Sequence, residues 1–137
     1  AFCLGLNPQE LCGLASNLGS DVPFFLSPVA QIARGRGEIL VPLGSIPRLH
    51  CVVIAPRVGL STPAVYGRSK VPDRPRRLEP IVAALQAGAS CFEGLLWNSL
   101  EPAARELSSE IDRLAAAVKQ TVPLGQLMSG SGSSYFA

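Results

Sequence analysis

Leu18-Gly19-Ser20-Asp21-Val22-Pro23-Phe24-Phe25-Leu26 sets one carboxylate between turn residues and a run of large apolar side chains. Gly19 and Ser20 favour a turn after a helix. Val22-Pro23 favours extended backbone leading away from it. The stretch therefore reads as a helix-to-strand corner, with Asp21 at the corner beside apolar packing rather than on an open face. Two roles are open to this carboxylate. It caps the turn through its own backbone N–H groups, or it is held partly desolvated as a base or orienting group.

Immediately upstream, Asn7-Pro8-Gln9-Glu10 is a helix start. Asn7 suits the N-cap, Pro8 the first helical position, and Glu10 the third, which is near a capping box. Leu11, Leu14, Ala15 and Leu18 then recur at helical spacing on one face, and Gly19 ends the helix. Residues 1–5 read as the tail of a preceding helix. Downstream, residues 24–33 read as a strand kinked at Pro28. Arg34-Gly35-Arg36-Gly37-Glu38 is a turn and Ile39-Leu40-Val41 a short strand, so the three make a hairpin. The loop from Pro42 to Pro47, with two prolines and a glycine, marks a domain boundary that leaves residues 1–46 and 47–137 as two parts.

In the second part, His50-Cys51-Val52-Val53-Ile54-Ala55 is a continuous apolar run, as in a strand buried on both faces. His50, at its start, reads as a satisfied core residue. Gly59-Leu60-Ser61-Thr62-Pro63 opens a helix with Thr62 as N-cap and Pro63 at the first position. That helix carries Tyr66, which is either an aromatic platform for a planar ring or a core or half-buried surface residue. Residues 78–85 look helical and stop before Gly88. Residues 92–118 form the longest helical stretch, split by Pro102 and Ser108-Ser109, with Leu107, Ile111, Leu114 and Val118 on one face. Residues 125–129 and 135–137 are strand pieces around a glycine–serine turn. This order of elements predicts an α+β layer packing.

Composition bounds the function. The chain has 137 residues, of which 47% are hydrophobic and 16% charged, enough for a real core. A net charge of +2 is too small to argue for nucleic acid or an acidic membrane. Arg74, Arg76 and Arg77 read as a solvated loop. No run of about 18 apolar residues is present to span a membrane. Cys3, Cys12, Cys51 and Cys91 form no C-x-x-C pair, and His50, the only histidine, has no partner at metal-ligand spacing. All four cysteines lie in apolar runs, so buried reduced thiols and a cytoplasmic protein are expected.

Met128-Ser129-Gly130-Ser131-Gly132-Ser133-Ser134 is the second candidate for chemistry. Glycines let the backbone approach a ligand closely and offer N–H groups to an anion. The same composition also suits a plain hairpin loop. No lysine follows the glycines, so the segment is not a P-loop. With no histidine at a usable place, a Ser131-based hydrolase is excluded.

Three signatures stand in a fixed order: Leu-Gly-Ser-Asp-Val-Pro-Phe-Phe at 18–25, Gly-Leu-Ser-Thr-Pro-Ala-Val-Tyr at 59–66, and Met-Ser-Gly-Ser-Gly-Ser-Ser-Tyr-Phe at 128–136. Between them lie Ala33-Arg34-Gly35-Arg36-Gly37-Glu38 and Asn98-Ser99-Leu100-Glu101-Pro102. Over nearly its whole length the chain resembles the C-terminal part of a small-molecule kinase of the GHMP superfamily. The branch it looks most like acts on a CDP-linked methylerythritol in non-mevalonate isoprenoid synthesis.

The resemblance implies a two-domain α+β fold, with residues 1–46 the end of the N-terminal, ATP-binding domain and residues 47–137 the C-terminal domain. It implies ATP as phosphoryl donor, with Mg2+ following from the reaction type. It implies that Asp21 takes or orients the proton of the acceptor hydroxyl. Tyr66 would stack on the cytosine, with Thr62 and Pro63 lining the same pocket, while Gly130, Ser131 and Gly132 would support the phosphate region. Substrates would be small molecules, not nucleic acid or membrane. The family's main ATP loop and its catalytic lysine are not in these 137 residues, so the chain alone is expected to be inactive. A homoserine or mevalonate-type substrate, or a non-catalytic α+β module in which Asp21 only caps a turn, are the other readings.

Overall fold

The computed structural model describes residues 5–57, 59–121 and 123–137. The chain divides into two compact units between Ile46 and Pro47.

The first unit begins with helix α1, Pro8–Leu18. Its start follows from the capping residues. The Asn7 side chain accepts from the N–H groups of Gln9 and Glu10, both at 3.0 Å, and the Asn7 N–H donates to Glu10 Oε2 at 2.9 Å. The chain then turns at Gly19 and Ser20 into a 3-10 helix, Val22–Leu26. This corrects the expected extended Val22-Pro23 and the strand over 24–33. Proline fits the first turn of a helix because its missing N–H is unpaired there anyway. A strand forms only at β1, Gln31–Arg34, which pairs antiparallel with β2, Ile39–Pro42, placing Arg34 opposite Ile39. The 35–38 turn needs both glycines, with φ of 68° at Gly35 and 118° at Gly37.

The apolar stripe of α1 is not a core in this unit. Ala15 is buried, but Leu11 and Leu14 are exposed and Leu18 is 81% exposed. A helix buries its stripe only against a second layer, and one hairpin and a 3-10 turn do not supply it. Residues 1–4, with Cys3 and most of the expected preceding helix, lie outside the described residues.

The second unit holds β3 (Val53–Ile54), α2 (Thr62–Arg68), α3 (Glu79–Ala87), α4 (Glu101–Leu107), α5 (Ser109–Lys119), β4 (Leu127–Met128) and β5 (Tyr135–Phe136). The sheet order is β3-β5-β4, antiparallel throughout. The α+β architecture is therefore as the sequence predicts. Helix α3 stops at Gly88, which takes the left-handed conformation. The split between α4 and α5 falls at Ser108, whose hydroxyl accepts from the Glu110 N–H at 3.3 Å. Residues 92–100 are not helical, because the second helical position of Pro102 starts α4 afresh at Glu101.

Val65, Ala104, Ile111, Met128 and Tyr135 form the centre of the core, each 2% exposed or less, with Leu60, Leu107 and Leu114 packed around them. Full burial of side chains such as Ile111 and Met128 contributes about 1.5–3 kcal/mol each. Under this core Glu101, itself buried, accepts from Arg105 Nη2 at 2.6 Å and Nε at 3.1 Å and from the Tyr135 hydroxyl at 3.4 Å. Arg105 also bonds Asp112. A buried carboxylate needs such a partner set.

The run at 50–55 departs from expectation. Only Val53 and Ile54 are strand, and β3 is an edge strand with Val52 and Val53 exposed rather than buried on both faces. Three β strands leave one neighbour for an edge, so period-free apolar sequence does not ensure burial. His50 is exposed, not a core residue. Cys12, Cys51 and Cys91 are free and exposed, not buried, because they sit on faces their own units leave uncovered. The 74–77 segment is exposed as expected. Arg77 pairs with Glu79 at 3.3 Å and Arg76 lies 5.2 Å from the Trp97 ring centre. Among the described residues, no helix is long and apolar enough to cross a membrane.

Candidate functional site

The second unit brings two of the three signatures together. The Thr62 and Ser131 hydroxyls are hydrogen-bonded at 2.9 Å. Thr62 was the expected N-cap of α2, but that position is Ser61, whose side chain makes no capping bond. Thr62 is the first helical residue and Pro63 the second. The Thr62 hydroxyl is therefore turned to the glycine–serine loop instead of its own backbone. Tyr66 follows four residues later, hence on the same side of the helix one turn on. Tyr66 is 60% exposed, so it is not a core residue.

The loop itself is shaped by three kinds of restraint. Across its mouth Ser129 N–H donates to Ser134 C=O at 2.8 Å, and Gly132 N–H to Ser129 C=O at 3.0 Å. Gly130 and Gly132 hold positive φ of 57° and 86°. From outside, Asn98 Nδ2 donates to the carbonyls of Met128 and Gly130, both at 2.8 Å. A Cβ at Gly132 would lie 2.8 Å from Met128 Sδ and 3.2 Å from Leu60 Cδ1. The glycine there is required by both conformation and space. The loop is thus seated on the core, not a free hairpin end.

Asp21 belongs to the first unit. Its backbone is helical, at φ −92° and ψ −11°, and its side chain makes no capping bond to the turn. The capping role is therefore not what this carboxylate does. Nor is it desolvated within its unit, since Asp21 is exposed. The Ser20 hydroxyl donates to Asp21 Oδ1 at 3.4 Å. Gly37, in the β1–β2 turn, lies so close that an added Cβ would overlap Asp21 Oδ1. The hairpin glycine thus leaves room for this carboxylate. In the same turn, the Glu38 carboxyl is held below the usual carboxylate range by the backbone N–H groups of Glu38 and Arg36.

Among the described residues, no group of three or more His, Cys, Asp or Glu side chains is placed to hold a metal ion. An apolar cavity of about 420 Å³, lined by Leu85, Phe92, Leu96 and Phe136 among others, touches none of Thr62, Pro63, Tyr66 or the loop. Sequence reading missed Asn98 as a site residue. Asn98-Ser99-Leu100-Glu101-Pro102 stands in the sequence only among the stretches that carry the resemblance, with no role assigned to Asn98. Its long-range bonds to residues 30 and 32 positions away leave no mark in sequence.

The fold is similar to that of a small-molecule kinase of known structure. A crystal structure titled 4-(cytidine 5'-diphospho)-2C-methyl-D-erythritol kinase matches 92% of this chain and 46% of its own, at a TM-score of 0.75 and 41% identity. The curated relatives carry the same name. The 4-diphosphocytidyl-2-C-methyl-D-erythritol kinase of Rhodopirellula baltica is 40% identical over 96% of this chain, and that of Thermus thermophilus 41% identical over 93%. The chain is thus a relative of the 4-diphosphocytidyl-2-C-methyl-D-erythritol kinases. It spans less than half the length of these relatives, 42% and 46% respectively. No protein-family model matches the chain.

Proposed function

We propose that the chain is part of a kinase that transfers a phosphoryl group from ATP to the 2-hydroxyl of 4-diphosphocytidyl-2-C-methyl-D-erythritol, in isoprenoid biosynthesis. Residues 1–46 contribute the end of its ATP-binding domain and residues 47–137 its C-terminal domain. The observation that carries this reading is the Thr62–Ser131 bond, which sets an exposed tyrosine and a glycine–serine loop on one surface. A cytidine diphosphate has the matching chemistry: a planar ring for Tyr66, with Thr62 and Pro63 beside it, and an anionic diphosphate for the loop at Gly130, Ser131 and Gly132, in which the Gly132 N–H is already bonded to Ser129 C=O. Asp21, uncapped, accepts or orients the proton of the acceptor hydroxyl as its oxygen attacks the γ-phosphorus of ATP, the bond from that phosphorus to the β–γ bridging oxygen breaks, and ADP leaves. Most of the remaining barrier lowering in such reactions comes from positioning and charge neutralisation.

Calorimetric titration of the 137-residue chain with CDP tests the substrate side. Tyr66→Ala should weaken binding by about 1–3 kcal/mol, the range of base–aromatic stacking. Unchanged affinity refutes the stacking role. In the longest polypeptide the gene encodes, Asp21→Asn should abolish phosphoryl transfer while substrate binding is largely kept. Equal turnover in that variant refutes the proton-acceptor role.

A further inference from the structure

We propose that Asn98 is a positioning residue for nucleotide binding, turning the carbonyl dipoles of the glycine–serine loop away from the ligand's phosphates. This rests on reading the Tyr66 helix and the 129–134 loop as the nucleotide side of the site.

The amide orientation follows from its partners. Leu100 N–H donates to Asn98 Oδ1 at 2.9 Å, and an N–H must meet the oxygen of an amide. The nitrogen therefore faces the other way, and both its hydrogens are used on the loop, one on Met128 C=O and one on Gly130 C=O. A carbonyl oxygen aimed at a phosphate repels it, whereas backbone N–H groups attract it. With their oxygens held by Asn98, Met128 and Gly130 cannot turn those dipoles toward an incoming anion without losing two bonds. The left-handed conformation of Gly130 is thereby fixed from behind, and the Thr62–Ser131 bond sets the loop's distance from Tyr66. Both donors of the Asn98 amide are bonded to loop carbonyls, so its effect on a ligand is exerted through the loop.

An aspartate at 98 has the same shape and still accepts from Leu100 N–H, but it has no donor for two carbonyls and adds a negative charge behind the loop. The test compares CDP with cytidine in titrations of the full 137-residue chain. Wild type should bind CDP more tightly than cytidine. Asn98→Asp should cut that preference by about tenfold or more, with cytidine affinity nearly kept, because charge-assisted bonds are the stronger ones lost. If Asn98→Asp does not fold, Asn98→Ser reads the same ratio, since it removes the paired donors without adding charge. A variant that weakens CDP and cytidine equally, or leaves the preference intact, overturns the proposal while the nucleotide reading stands. A wild type that binds neither probe overturns both.

Discussion

Gly132→Ala is predicted to destabilise the chain far more than Gly130→Ala, although the two glycines lie in one loop. Both have positive φ, 86° and 57°, where an L side chain costs about 1–2 kcal/mol. They differ in what a Cβ meets. At Gly130 nothing lies within 4 Å, so the cost is conformational alone. At Gly132 the Cβ would lie 2.8 Å from Met128 Sδ and 3.2 Å from Leu60 Cδ1, with Ile111 Cδ1 at 3.6 Å behind them. Met128 and Ile111 are each 1% exposed and have no free space to retreat into. Overpacking of that kind adds about 1–3 kcal/mol. The expected losses are therefore about 1–2 kcal/mol for Gly130→Ala and about 2–5 kcal/mol for Gly132→Ala. Urea unfolding followed through Trp97, the single tryptophan, measures both against wild type. Equal midpoints for the two variants would refute the argument, because the loop would then not be seated on the core.

Tyr135 gives a pH prediction. Burial first, and then the charge of Glu101, raises its phenol above the ordinary 10.0. The unfolded chain releases this proton first, so the stabilisation is complete below pH 10 and is lost as pH rises through the raised folded value. Tyr135→Phe should make the alkaline fall in stability shallower, and an unchanged slope in denaturant midpoints from pH 9 to about 11 would contradict it. Asn7→Ala removes the side-chain half of the α1 capping box, the acceptor for the Gln9 and Glu10 N–H groups, and should cost about 0.5–2 kcal/mol, seen as faster amide hydrogen exchange over Gln9 to Leu11. No change in exchange there would show that the cap does not hold the helix.

Local chemistry was legible from the chain alone wherever a few neighbouring residues decide the outcome. The Asn7 cap, the Gly19 and Gly88 stops, the 35–38 turn, the break at Ser108 and the β4–β5 hairpin each need only short-range sterics and hydrogen bonds, and the α+β class followed from their order. The three signatures offered Asp21, Thr62, Pro63, Tyr66 and the 130–132 loop as site candidates through the resemblance alone. Burial was not legible, because an apolar residue is inside only if another layer covers it. Leu14, Leu18, Cys51 and Val53 have core-like patterns and lie exposed for that reason. Val22-Pro23 suits an extended chain and the first turn of a helix equally, and only the surrounding packing chose the 3-10 form. Pairings across long stretches of sequence, Thr62 with Ser131, Asn98 with Met128 and Gly130, and Glu101 with Tyr135, were fixed by tertiary structure. Polar side chains carry no record of a distant partner, since the geometry that joins them comes from the hydrophobic core between.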